Sequence, residues 1–308
     1  MDEALGLLIG FVAACVQSCS YVVSASYVRG SGKPAWTLLA PSFLVMGLFG
    51  ALAAPLAWPA AGAQLPRFGR LVPFAALCIL TCMAGNGSMF FLLRRVDSSR
   101  ASPLLALKVP MLALFGVLAA GEKCAPAQWL AIALVVFSAW LVAGAGRRIP
   151  AGAWFWLVAA CVGYCASDWF IALSMDECKA SFGGSVAGYS FMALSVIYVV
   201  GGAISLAVLP MQGVPPRAHW LRWALPYAVC WFSAMAALFA CFAMSGLVLG
   251  NIVQSCRGLV SVVLGWIVAK TGRTQLEEKV PPGVVARRIF AAIVLVAAMA
   301  LYSVSRAS

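Results

Sequence analysis

The stretch Lys108-Val-Pro-Met-Leu-Ala-Leu-Phe-Gly-Val-Leu-Ala-Ala-Gly-Glu-Lys-Cys-Ala-Pro-Ala-Gln-Trp-Leu-Ala-Ile-Ala-Leu134 decides how the chain is read. An apolar run breaks at Gly121-Glu122-Lys123, and a second opens behind Pro126 with Gln128-Trp129. The polar turn between them is short, so the two runs form a hairpin of helices rather than parts of separate domains. Followed outward, the runs cover 101–120 and 128–145. About 20 apolar residues cross a hydrocarbon core about 30 Å thick, and both runs are near that length. One lysine, Lys108, sits within the first run and not at its edge.

The rest of the chain repeats this pattern. Of its 308 residues 64% are apolar and 10% charged, against about 25% charged in a soluble domain. With 21 basic and nine acidic side chains the chain cannot cover a water-facing surface of this size. Ten apolar runs qualify as spans: 4–28, 35–58, 71–93, 101–120, 128–145, 152–174, 183–209, 223–245, 250–269 and 287–305. The expectation is an all-α integral membrane protein of ten transmembrane helices, with short loops and a tight hairpin at Ser245-Gly246. The first run starts at Ala4 behind Asp2 and Glu3, lacks a basic flank, and is too long for a signal-peptide core, so it reads as a span.

The net charge of +12 would suggest nucleic acid in a soluble protein. Here most basic residues lie in loops, where they set membrane topology, and no nucleic-acid partner is expected. Loops on the side of the termini carry five Lys/Arg (Arg67, Arg70, Lys123, Lys179, Arg306) and the opposite loops 14. The positive-inside rule places the opposite loops in the cytoplasm and the termini outside. The expected location is a bacterial inner (plasma) membrane, crossed many times, with the lipid bilayer as a partner.

Cysteines add little. Cys15/Cys19 and Cys161/Cys165 each share a helix face, but no histidine or carboxylate joins them in sequence. Helix packing explains them, and neither metal nor cofactor is expected. Cys124 and Cys178 read as loop residues, able to pair if their loops face an oxidising space.

Internal repetition organises the spans. Val12-Ala-Ala-Cys-Val-x-x-Cys19 recurs as Val158-Ala-Ala-Cys-Val-x-x-Cys165, an offset of 146 residues. Lys108 precedes Gly116 by eight residues, as Arg257 precedes Gly265, an offset of 149. Residues 1–146 and 147–308 therefore read as two copies of a five-helix unit. An odd number of spans per copy inverts the second, and such inverted repeats are a signature of secondary transporters with a midplane site.

The stretch 108–134 resembles the end of an EamA-type repeat: a proline-bearing fourth helix, Gly121-Glu122, a short polar turn, and Gln128-Trp129 opening the fifth helix. The resemblance to this branch of the drug/metabolite transporter superfamily is sequence-specific over about 101–145. It implies ten helices in two inverted five-helix repeats, both termini in the cytoplasm, and transport of a small molecule. The second copy departs from the pattern, with Gly258-Leu259 after Arg257 and a longer loop bearing Glu277-Glu278. In related carriers of sugar phosphates and nucleotide-sugars, basic residues on the fourth and ninth helices contact the anion; Lys108 and Arg257 resemble those positions.

Charges within spans cost about 2.5–3.5 kcal/mol each and point to function. Lys108, Asp168 and Arg257 are the three that stand out. Both cations lie eight residues into spans entering from opposite faces, so at a rise of about 1.5 Å both end near the midplane. Asp168 is deep in span six, nearer in depth to Arg257. An Asp168–Arg257 pair is expected, leaving Lys108 less compensated with the bound anion as its counter-charge, so that Lys108→Ala abolishes binding and leaves the fold intact. The bland alternative is three structural charges neutralising one another. Gln254, Arg257 and Ser261 share a helix face, with Asn251 on its flank. Asn86 between Gly85 and Gly87, with Gln17, Ser18 and Tyr164, could complete a polar wall; helix–helix hydrogen bonds are the competing use of each.

The expected function is a secondary transporter moving a small anionic metabolite by alternating access. An alternative is an exporter of amino acids or hydrophobic compounds, with Asp168 or Lys108 serving proton coupling. An integral-membrane enzyme is the remote alternative: the chain has one histidine, His219, and no metal-ligand spacing, nucleophile elbow or phosphate loop.

Overall fold

Without water to take their hydrogen bonds, apolar segments must satisfy their own backbone, and helices do so. The computed structural model describes residues 2–30, 36–59, 64–96, 98–121, 123–143, 149–182, 185–212, 217–270 and 282–307, and every secondary-structure element among them is helical. The α-helices are α1 (Asp2–Gly30), α2 (Trp36–Ala53), α3 (Phe68–Leu93), α4 (Ser98–Leu104), α5 (Lys108–Ala120), α6 (Pro126–Ala143), α7 (Ala151–Lys179), α8 (Val186–Val208), α9 (Arg217–Ser245), α10 (Leu247–Gln254), α11 (Arg257–Lys270) and α12 (Pro282–Ala307). Much of the expected charge bias, including Arg147, Arg148 and the Glu277-Glu278 loop, lies outside the described residues.

Among the described residues seven segments are long and apolar enough to cross a membrane: α1, α2 with its 3₁₀ extension, α3, the α4–α5 rod, α7, α8 and α9. The chain is an integral, multi-pass membrane protein. Shorter apolar helices cover Pro126–Val142 and Ile289–Ser305. The run expected at 250–269 is divided between α10 and α11. Cys178, expected in a loop, lies in the last turn of α7 and is buried, because that helix runs past the apolar stretch to Lys179.

Five helix pairs make the main packing: α1 with α9, α2 with α8, α3 with α7, α4 with α11, and α6 with α12. A large core joins α1, α2, α3, α7, α8 and α9, and a smaller one joins α5, α6, α10 and α12. Large apolar side chains such as Leu48, Leu52, Leu118, Phe155 and Ile293 are exposed, as a surface solvated by lipid requires.

Close crossings rest on glycine. A Cβ on Gly163 would lie 2.8 Å from the Gly85 backbone, and one on Gly47 would lie 2.6 Å from Gly202. Gly246, at φ 78°, makes the tight hairpin between α9 and α10; its N–H donates to the Phe242 carbonyl at 2.9 Å.

Two rods are interrupted near their middles. Between α4 and α5, Leu105–Leu107 form a 3₁₀ turn flanked by Pro103 and Pro110, each of which removes a backbone donor. Between α10 and α11 the turn is Ser255-Cys256, held by Cys256 N–H to Val253 O at 2.9 Å and Gly258 N–H to Ser255 O at 3.1 Å. The interruptions pack together: a Cβ on Gly258 would meet Pro103 Cα at 2.8 Å. Lys108 and Arg257 are the first residues of the helices that follow the two breaks.

Candidate functional site

The crossing of the two broken rods brings both midspan cations into one buried polar chain. Lys108 Nζ donates to Asp168 Oδ2 on α7 at 2.9 Å, and also to the Gln254 Oε1 amide oxygen on α10. Gln254 Nε2 donates to Gln17 Oε1 on α1 at 2.9 Å, and Arg257 Nη1 donates to the same Gln17 oxygen at 3.1 Å. The order is Asp168, Lys108, Gln254, Gln17, Arg257, with both glutamines 2% exposed. Ser18 donates to the Arg257 carbonyl at 3.1 Å, tying the break to α1.

The expected Asp168–Arg257 pair is not formed: Asp168 belongs to Lys108. The depth argument misplaced it because α7 is 29 residues long, more than the apolar run suggested, so Asp168 lies close to that helix's middle. Midplane depth then suits either cation, and the packing of α7 beside α5 decides. Lys108 is thus compensated, and the tolerance expected of Lys108→Ala falls with the pairing.

Arg257 takes the opposite role. It is 2% exposed, and among the described residues no carboxylate ion-pairs with it. Its Nε–H is buried without a partner. The Tyr21 ring lies under the guanidinium, with Cζ 5.7 Å from the centroid, a contact worth about 0.5–2 kcal/mol and short of a full counter-charge. Arg257 also starts a helix, whose N-terminus carries partial positive charge, so its position favours an anion and disfavours the resident cation.

An aromatic cluster continues from Tyr21. Trp231 meets Tyr21 edge-on at 6.3 Å and stacks on Tyr227 at 5.7 Å, and Tyr164 lies 6.4 Å from Trp231. Asn86 closes the far side: its Oδ1 accepts from Tyr227 at 2.8 Å and Tyr164 at 3.2 Å. Asn86 and Tyr164 are therefore brought together, but in a second cluster reached through rings.

Asn251 and Ser261 are not drawn into either network. Asn251 Nδ2 donates to the Leu247 carbonyl of its own helix at 3.0 Å, while Asn251 Oδ1 and Ser261 Oγ are buried without partners. Sequence reading missed Tyr21, Tyr227 and Trp231. Tyr21 carried a usable signal, four residues after Gln17 on one helix face.

The polar chain is closed to solvent. A cavity of about 350 Å³ lies toward the α5–α6 turn, lined by Leu112 and Gly116 of α5, Lys123 after it, Trp169 of α7, Gly246 at the hairpin and Tyr302, and none of the five residues of the polar chain lines it. Among the described residues no cluster of three or more metal-ligating side chains occurs.

Residues 4–144 match the EamA-like transporter family, a wider stretch than the 101–145 that carried the resemblance. Over 75 residues the chain is 39% identical to an "Uncharacterized transporter in cobO 3'region" from Sinorhizobium sp; this covers 24% of the chain and about half, 53%, of that relative. A solved structure described as "Crystal structure of protein" superposes with a TM-score of 0.67 over 98% of each chain at 17% identity, a likeness of fold alone.

Proposed function

We propose that this chain is an EamA-like secondary transporter that binds a small anionic metabolite at Arg257 and carries it by alternating access. The carrying observation is a buried arginine, with no carboxylate partner among the described residues, at the start of the second half of an interrupted helix. A buried charge needs an offset, and a bound anion supplies one. Discontinuous helices at corresponding places in two halves are where transporters of this general design hold their cargo.

Ten spans in two inverted repeats, 1–146 and 147–308, fit the packing. Replacing each span by the one five further along turns the α1–α9 pair into the α7–α3 pair, and leaves the other three main pairs unchanged. That is the behaviour of a two-fold axis lying between the halves. Under such a scheme, rocking the halves about the crossing of the broken rods exposes the polar chain first to one side and then to the other. The cation distribution along the sequence supports termini outside; a C-terminal reporter that lights up only in the cytoplasm would reverse the orientation without touching the site.

The test is binding and counterflow in proteoliposomes with Arg257→Gln and Arg257→Lys. Loss of a buried charge-assisted contact, about 2–5 kcal/mol, should weaken anion binding by about a hundredfold in Arg257→Gln. Arg257→Lys should retain part of it. Unchanged anion uptake by Arg257→Gln sinks the reading.

The Lys108–Asp168 ion pair favours a second reading, export of amino acids or hydrophobic compounds driven by protons through that pair. There Asp168→Asn would uncouple transport from a pH gradient, while Arg257→Gln would leave it intact.

A further inference from the structure

We infer that the site at Arg257 takes an organic monoanion, a carboxylate, in preference to a phosphate dianion or a zwitterion. The inference rests on the anion reading above and sharpens it to a charge class. Two cations at equivalent places in two repeats look like a double-positive site suited to a dianion. The side-chain contacts remove one of them. Lys108 is neutralised by Asp168 at 2.9 Å, with both residues at most 5% exposed, so the described buried chain carries one net positive charge, on Arg257.

The cost of charge in a low-dielectric interior falls on the net charge left after binding. A monoanion leaves the loaded site neutral. A dianion leaves it net negative, and a zwitterion leaves the site with the same net positive charge as before. The donors left over suit two oxygens. Arg257 Nε–H is unpartnered, and so is Ser261 Oγ one turn along α11. A guanidinium offers a planar fork that matches a carboxylate. The rings of Tyr21 and Trp231 beside it offer an apolar wall for the remainder of the molecule.

The experiment is equilibrium binding to the purified full-length chain in detergent at pH 8, where phosphate monoesters are dianions because their second pKa is about 6. Aliphatic, aromatic and sugar bodies are each offered as the carboxylate, the phosphate ester and the amino acid. The expected result is at least a tenfold preference for the carboxylate on whichever body binds. Asp168→Asn, which raises the buried charge by one, should shift preference toward the phosphate. The double variant Lys108→Met with Asp168→Asn restores one net charge and should keep the carboxylate preference, whether or not the single variant folds. A phosphate preferred by the native chain overturns the inference and leaves the anion reading standing. A carboxylate preference lost in the double variant also overturns it. Binding of amino acids alone, or of no probe in any class, overturns both.

Discussion

The two interrupted rods, α4–α5 and α10–α11, use one backbone device and put it to different ends. Each breaks near its middle and restarts on a cation, and the breaks touch through Pro103 and Gly258. The first break is imposed by prolines; the second has a serine and a cysteine in its turn, with Gly258 giving way to the first. Their cations differ more. Lys108 has an acid at 2.9 Å, while Arg257 has a shared amide oxygen and an aromatic face. The lesson is that a shared position at a helix break places charge but does not balance it. The balance comes from α7, whose Asp168 stands against Lys108; the proposed repeat would put Val22 at the corresponding place in α1.

The largest effect should come from breaking the compensated half. Lys108→Ala strands Asp168 in the interior, a loss of about 3–5 kcal/mol when one member of a buried pair is removed. Thermal unfolding in detergent should show a clear fall, and Lys108→Ala with Asp168→Ala should recover most of it. If the single variant melts like the native chain, the ion pair is not what holds these helices.

A smaller effect should follow from disturbing the helix that makes the halves unequal. Gly163→Ala drives a methyl to 2.8 Å from the Gly85 backbone, where neither helix can yield without moving. Overpacking of this kind costs about 1–3 kcal/mol. In the related α1–α9 crossing, Gly10→Ala meets the Cys241 sulfur at 2.5 Å, a side-chain atom that can rotate aside. Gly163→Ala should therefore lower the melting temperature more than Gly10→Ala, and the reverse order would mean that α1–α9 is the stiffer crossing.

The smallest stability change belongs to the uncompensated half. Arg257→Gln removes a charge-assisted hydrogen bond to Gln17, about 1.5–3 kcal/mol, most of it offset by relieving a buried charge that no carboxylate among the described residues pairs with. The same melting assay should register only the small remainder, while binding collapses. A large destabilisation would reveal a counter-charge that Arg257 holds elsewhere.

A good part of this was legible in order of residues. Lys108-Val-Pro and Gly121-Glu122-Lys123 announced a proline-bearing span and a turn, because apolar length and polar breaks answer to the bilayer directly, while the break at Leu105–Leu107 was not foreseen. Gln254 and Arg257 announced a shared face by their spacing. The aromatic cluster was not legible, because Tyr21, Trp231 and Tyr227 resemble ordinary core until α1 and α9 pack.

The sequence by itself determined that this is a multi-pass membrane protein and that two cations and one acid lie deep within it. Those properties follow from hydrophobic length, cost of charge and helical rise, all of which act along one helix at a time. Only the tertiary structure decided that Asp168 neutralises Lys108 and leaves Arg257 to Gln17 and Tyr21. Depth along an axis is fixed by residue number, but pairing depends on which helix stands beside which and how each is turned. Those choices are made by close glycine crossings and by two breaks packed against each other, contacts between residues far apart in the chain.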